Sequence, residues 1–280
     1  MPPLDLPLRL LRAVAFFVVT VPLMPVQLLL LALKSPLADR LPMAYHRLCC
    51  RLAGIVVEQR GALSPAHPTL YICNHTSYLD IAILGGRIAA TFVAKTDVGG
   101  WPLFGTLAKL QGCVFIDRRR ASINRQRDAI AARLQSGKNL ILFPEGTSGD
   151  GQRLLPFKSS LFAVAEGAPG LAIAVQPVSV AYLRLDGMPL GRFYRPCFAW
   201  YGDMTLAPHL WTMLGLGQLS ARVTFHPPVL ASDFASRKEL AEYCESVIGA
   251  GLAADLSGRA AAALPPPPDA AKLPALAGAE

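Results

Sequence analysis

The chain has 280 residues, 52% of them hydrophobic and only 16% charged, with 27 Lys and Arg against 19 Asp and Glu for a net charge of +8. This length suits one larger α/β domain or two small ones, and one domain with added ends is the expectation. The apolar balance excludes a disordered chain and points to membrane contact, while the positive charge suits anionic headgroups, phosphorylated substrates or nucleic acid without choosing among them.

The first element lies between Arg12 and Lys34, where twenty-one residues, "AVAFFVVTVPLMPVQLLLLAL", carry no formal charge. That is enough helix to cross a hydrocarbon core of about 30 Å. No small-residue cleavage pattern follows, so the segment is expected to be retained. Pro22 and Pro25 complicate a straight span, because an interior proline removes a backbone donor and kinks a helix. A bent, half-immersed hairpin is therefore an alternative, and an ordinary buried helix is a third. Arg9 and Arg12 precede the stretch, whereas Lys34, Arg40, Arg47 and Arg51 follow it. The richer downstream side favours a cytoplasmic body.

From Ile55 the pattern changes to short apolar runs separated by helical stretches. The strands expected are "IVVE" at 55, "TLYIC" at 69, "TFVA" at 91, "CVFI" at 113, "NLILF" at 139, "AIAVQPVSVAY" at 172, "CFAWY" at 197 and "ARVTFH" at 221. Several are apolar on both faces, which predicts an α/β body with a mixed, largely parallel sheet flanked by helices. Helices are expected at 121–136, 157–166 and 236–252. The chain thus divides into a membrane-associated helical segment at 1–49, an α/β domain at 50–252 and a disordered Ala/Pro-rich tail at 253–280.

Three stretches carry chemistry. In "YICNHTSYLDIAIL" His75 leaves a strand at its C-terminal edge and Asp80 enters the following helix. α/β proteins place ligands at such edges. Residues five apart on one regular helix point about 140° apart and cannot meet. They can meet if His75 is still in the loop and the chain curls back, with the carboxylate fixing one ring nitrogen and leaving the other as a base. The structural alternative is that Asp80 favours the helix N-terminus by its charge and His75 caps the turn. The second stretch, "GCVFIDRRR", delivers Asp117 and three arginines to a strand end, where the planar guanidinium suits phosphate. Lys95, Arg153 and Lys158 add positive charge if the loops converge. The third, "LILFPEGTSGDG", ends a strand at Pro144 and continues as a Gly-rich turn with exposed amides and Glu145.

Nothing in the sequence calls for a metal or a resident cofactor. The six cysteines form no C-x-x-C pair and read as small buried hydrophobes in a reducing compartment. No aromatic-rich stacking motif accompanies the arginines, so nucleic acid is not the expected partner. A second apolar stretch, "LAPHLWTMLGLGQL" at 206, is either an interfacial helix with Trp211 near headgroups or a packed core helix.

In their order and separations, "NHTSYLD", "GCVFIDRR", "FPEGTS" and "VQPVSV" resemble the four blocks of the glycerolipid acyltransferase family, which includes 1-acylglycerol-3-phosphate acyltransferases. The resemblance covers roughly residues 50 to 230. It implies that His75 is the general base and Asp80 its orienting partner. It further implies that Arg118 and the turn of Glu145, Gly146 and Thr147 hold the acceptor's headgroup with Lys158, that Pro177 shapes the pocket, and that Asn74 and Arg119 are further candidates. The partners implied are a lyso-lipid acceptor, a thioester of acyl carrier protein or coenzyme A, and a membrane, with the catalytic domain on the cytoplasmic side of the inner membrane. Where phosphatidate-forming members commonly read E-G-T-R, this chain has Ser148, followed by Gly149 and Asp150. With that arginine missing and an acid nearby, the turn suits a headgroup carrying a cationic amine. The longer stretches "AKTDVGGWPLFGTLAKLQ" and "EGTSGDGQRLLPFKSSLF" are similar to the lyso-ornithine lipid O-acyltransferase branch.

Overall fold

The computed structural model describes residues 5–116, 123–166 and 173–259. The apolar N-terminal stretch forms α1 (Leu6–Ala32), opened by Asp5, whose carboxylate accepts the Leu8 amide at 3.1 Å. The helix runs on through Pro22 and Pro25, and a short turn leads into α2 (Leu37–Leu52). The segment is therefore a helical hairpin. α1 is long and apolar enough to cross a membrane. Its polar residues nevertheless recur on one side and bond to α2 and to the body. Arg12 Nη1 donates to the Leu214 and Leu216 carbonyls at 3.1 and 2.6 Å, and the Thr20 hydroxyl lies 2.8 Å from that of Tyr45. Near the far end, Gln27 Nε2 donates to the Ala38 carbonyl at 2.9 Å and that of Leu110 at 3.2 Å.

The body is one mixed sheet. Its strands in chain order are β1 (Ile55–Arg60), β2 (Thr69–Cys73), β3 (Ala90–Lys95), β4 (Val114–Ile116), β5 (Asn139–Leu142), β6 (Ala174–Leu185), β7 (Met188–Pro189), β8 (Leu219–Phe225) and β9 (Val229–Leu230). The spatial order is β1-β8-β6-β2-β5-β3-β4, with β7 and β9 added on β6. All pairings are parallel except those of β6 with β7, β8 and β9. The helices are α3 (Leu79–Gly85), α4 (Phe104–Leu110), α5 (Ile123–Gln135), α6 (Ala163–Glu166), α7 (Leu206–Leu214) and α8 (Arg237–Ser257).

β2 and β5 are buried along their whole length because helices cover both faces of the sheet. Alternation along β2 divides the core. Leu70 and Ile72 face Leu134 of α5 and Cys244 and Ile248 of α8, whereas Tyr71 and Cys73 face Ile83 and Leu84 of α3 and Met213 of α7. The parallel strands β2, β5, β3 and β4 all end at one edge of the sheet, the edge at which open α/β sheets hold ligands.

Pro177 lies inside β6, buried beside Ile72. Its carbonyl accepts the His226 amide at 3.0 Å, so its missing N–H falls on the same side, in the gap between β9 at Val175 and β8 at Val178. No ladder bond is lost there.

Three expectations are corrected. "CFAWY" is not a strand: a 3-10 turn at Arg195–Cys197 leads into a loop, because the Trp200 amide donates to the Thr76 carbonyl at 3.0 Å instead of joining a ladder. The stretch 157–166 is a 3-10 turn at Ser159–Phe162 running into the single turn of α6. α8 continues past 252 into the expected tail, since Asp255 is buried and accepts from Arg222 at 2.7 Å and Thr224 at 3.0 Å; Gly258, at φ +67°, then ends it.

Candidate active site

The chain leaves β2 through Asn74, His75, Thr76 and Ser77 and turns at once into α3. This curl brings His75 and Asp80 together, with Nδ1 2.9 Å from Asp80 Oδ2. The carboxylate sits in the first turn of α3, where negative charge is favoured, and reaches back to the amides of Thr76 at 2.7 Å and Ser77 at 3.0 Å. Its other oxygen accepts the Tyr182 hydroxyl of β6 at 2.7 Å. A fully buried group with four donors around it is an acceptor in all directions. The carboxylate therefore holds a proton on Nδ1, so that in the neutral imidazole Nε2 is the acceptor.

Phe143 at the end of β5 stacks on the His75 ring, 4.2 Å between centroids and 19° between planes, and Phe92 stacks behind it at 6.1 Å. The ring is held in plane as well as in tautomer. His75 keeps 19% of its side chain exposed. By strand alternation it lies on the sheet face covered by α2, α3 and α7.

The backbone of His75 is fixed as firmly as its ring. Its amide donates to Glu145 Oε1 at 2.6 Å, and its carbonyl accepts the Gly149 amide at 2.9 Å. Glu145 Oε2 accepts the Leu155 amide at 2.9 Å. Burial pushes the Glu145 carboxyl up to about 7; the two amides oppose this, and the charges of Asp80 and Glu245 add to it. Gly146 takes φ +68°, and Lys158 Nζ stands 2.7 Å from where a Cβ would project, so a side chain at 146 would displace that ammonium. Thr147 is exposed beside them.

The other expected residues fall as follows. Asn74 is consumed by the strand, donating to the Val180 carbonyl at 2.9 Å and accepting its amide at 2.7 Å. Pro177 sits one strand over, inside the sheet. Asp117, Arg118, Arg119 and Arg120 lie outside the described residues; they follow β4, whose C-terminal end is on the same sheet edge as that of β2. Cys73 and Ser77 are both fully buried, and burial raises the Cys73 thiol well above its ordinary value, so neither is placed as a nucleophile.

Sequence reasoning missed Tyr182, Phe143 and the loop at 190–200. The Ser148 hydroxyl donates to the Trp200 carbonyl, so the residue standing where arginine is common pins this loop over the turn. Arg195 is buried; its Cδ lies 3.3 Å from where a Gly151 Cβ would sit, against Thr76, and its Nε has no hydrogen-bond partner among the described residues. Asp150 is its nearest favourable charge. Trp200 Nε1 is likewise buried without a partner.

A strand-end histidine fixed by a buried carboxylate, on an α/β sheet with this strand order, defines the class. Residues 54–181 match the family model described as Acyltransferase. The chain is 42% identical to the lyso-ornithine lipid O-acyltransferase of Brucella abortus over 88% of its own length and 94% of that protein. It is 41% identical to the corresponding protein of Rhizobium meliloti over 88% and 86%. It is 34% identical to the 1-acyl-sn-glycerol-3-phosphate acyltransferase of Neisseria meningitidis over 70% and 74%. The crystal structure of the 1-acyl-sn-glycerophosphate acyltransferase PlsC from Thermotoga maritima superposes with a TM-score of 0.60 at 23% identity, over 80% of this chain and 82% of that one, which establishes the likeness of fold. The chain belongs to the acyltransferase family and is an enzyme that transfers acyl groups.

Proposed function

We propose that this enzyme acylates the free hydroxyl of a lyso-lipid, lyso-ornithine lipid above all, from a thioester of acyl carrier protein or coenzyme A. The observation that carries the reading is the His75–Asp80 pair, with Nδ1 bound to the carboxylate and 19% of the side chain exposed. A lipid hydroxyl is too weak an acid to ionise near pH 7, so Nε2 takes its proton as the oxygen attacks the thioester carbon. Asp80 stabilises the imidazolium formed, and Tyr182 and two amides keep that carboxylate in place. The tetrahedral intermediate then expels the thiolate, a good leaving group at a pKa of about 8.5, and Nε2 returns the proton to sulfur. The amides of residues 75, 76, 77, 146 and 149 are all occupied within the two turns. Charge on the developing oxyanion then falls to the remaining donors of the turn and to Lys158 beside it.

The relatives' printed activities and the chemistry of the 145–151 turn support the ornithine acceptor. A zwitterionic amino-acid headgroup needs a cation and an acid, and Lys158 beside Gly146 and the partly exposed Asp150 supply both at this turn. The arginines at 118–120 and the Neisseria relative favour a second reading, in which 1-acyl-glycerol-3-phosphate is also accepted.

The hairpin lies at the cytoplasmic surface of the inner membrane, half immersed. α1, 27 residues and about 40 Å long, bonds to the body near its start through Arg12 and near its end through Gln27 to the Leu110 carbonyl, and between them Thr20 ties it to Tyr45 of α2. A helix held along its whole length by one domain lies parallel to the membrane with its apolar side outward. The test is a membrane assay offering lyso-ornithine lipid and lysophosphatidate with labelled acyl donor, with His75→Ala alongside. Acylation of neither, release of free acid without lipid product, or full activity of His75→Ala would overturn the reading.

A further inference from the structure

Outside the hairpin, the large apolar side chains left exposed among the described residues concentrate in one place. Phe193 is 81% exposed and Met188 70%, with Tyr194 and Trp211 partly exposed; only Val56 on β1 stands apart. An exposed patch of this kind on an otherwise well-covered body marks a contact site.

The segment that carries it is held firmly. The Tyr194 and Arg195 amides donate to the Gly191 carbonyl at 3.1 and 3.2 Å, and buried Arg195 donates to the Leu190 carbonyl at 2.8 Å from beneath. Phe193 and Tyr194 meet edge to face at 5.5 Å. The turn therefore presents its aromatic rings outward by construction.

Its two ends lead to α1. After Tyr194, the Pro196 carbonyl lies 3.3 Å from His209 of α7, and two residues on Trp211 carries the Arg9 guanidinium of α1 at 5.6 Å from its ring. Before Met188, the Asp186 amide donates to the Gln218 carbonyl at 2.9 Å and its carboxylate accepts the Gln218 amide at 2.7 Å, next to Leu216, whose carbonyl holds Arg12. Arg184 and Arg192 are exposed on the same segment.

We propose that the 188–194 segment is a second lipid-contact element, with Phe193 and Met188 entering the apolar boundary of an anionic bilayer and Arg184 and Arg192 lying over lipid phosphates. It rests on the reading of α1 as lying on the membrane, and it extends that surface across α7 to the loop beside the active-site turn. Continuity with the outer face of α1 selects a bilayer over a protein partner, and the arginines select an anionic one.

The test is flotation of the full chain with vesicles containing phosphatidylglycerol, and with phosphatidylcholine alone. Phe193→Ala should lower the bound fraction constant about fivefold, since binding scales with inserted apolar area. Arg192→Glu should weaken binding to the anionic vesicles only. Phe193→Trp should add quenching by bromolipid above that of the parent's own tryptophans. Turnover of Phe193→Ala in detergent micelles should match the parent. Binding by the parent that all three variants leave unchanged overturns the loop proposal alone. No binding by the parent overturns the membrane reading beneath it. A loss of turnover by Phe193→Ala with acyl carrier protein but not with coenzyme A, at unchanged flotation, would overturn the lipid assignment and give the loop to the donor protein.

Discussion

The turn after β2 and the face of α1 both place polar side chains against the body, yet they are built in opposite ways. In the turn, His75, Asp80, Tyr182 and Glu145 bond to one another and to the turn's amides as one network, beside which the Ser77 hydroxyl is buried without a partner among the described residues. Along α1 each polar group makes its own separate contact, and several atoms are left over: Arg9 Nε and Nη2 and Gln27 Oε1 are buried without partners. A small, open cleft lies between the hairpin and α4 beside Thr20, Gln27 and His46. The site is preorganised, and the hairpin is docked and adaptable. An enzyme that aligns reacting groups to tenths of an ångström needs the first kind of construction at its site.

The comparison can be broken most directly at His75. His75→Ala should lower turnover about a thousandfold with little change in melting temperature, measured as initial rates with labelled donor. Asp80→Asn comes next. Its amide would direct donors at the Thr76 and Ser77 amides and the Nδ1 proton, so turnover should fall about a hundredfold, and the lost charge-assisted bonds should cost about 2 kcal/mol or more of stability by denaturant titration. Parent-level turnover in Asp80→Asn would mean that the network only builds the turn.

Glu145→Gln tests the backbone of the site. The amide oxygen can accept one of the two amides but not both, so turnover should fall about tenfold and stability by about 1–3 kcal/mol. The pH dependence has a definite sign. A carboxyl raised from 4.5 to about 7 in the folded state contributes stability fully present below about 4.5 and lost as pH rises through about 7. The parent's melting temperature should therefore decline more between pH 5 and 8 than that of Glu145→Gln. Parallel curves would show that Glu145 is ionised throughout.

The smallest effect is expected on the hairpin. Arg12→Ala removes two contacts to the carbonyls at the end of α7 and should change global stability by about 1 kcal/mol. Turnover in micelles should hold, while amide exchange in the first turns of α1 should rise and turnover in vesicles should fall. An Arg12→Ala enzyme as inactive in micelles as His75→Ala would show that the hairpin is part of the site.

Much of this molecule was legible in its sequence. Apolar runs on both faces read as covered strands, and each became one except "CFAWY", whose backbone bonds to Thr76 and, through Ser148, to the 145–149 turn. That loop looked like a strand because packing under a turn and packing under a sheet select the same side chains. The meeting of His75 with Asp80 was also readable, since five residues and a strand end leave the chain one way to join them. Tyr182 was not. Alternation put it on the right face of β6, but its hydroxyl reaches Asp80 only through the register of Cys73 beside Val178.

Sequence alone therefore determined what is local: the apolar helix, the strand types, the histidine with its carboxylate, and the Gly-rich turn with Glu145. Local pattern suffices there because backbone geometry and near neighbours fix those outcomes. Only the tertiary structure decided that both carboxylate oxygens of Glu145 serve the backbone, that Ser148 pins the 190–200 loop, and that α1 lies along the body instead of standing away from it. Those depend on strand order and on contacts between residues far apart in the chain, which no local period encodes.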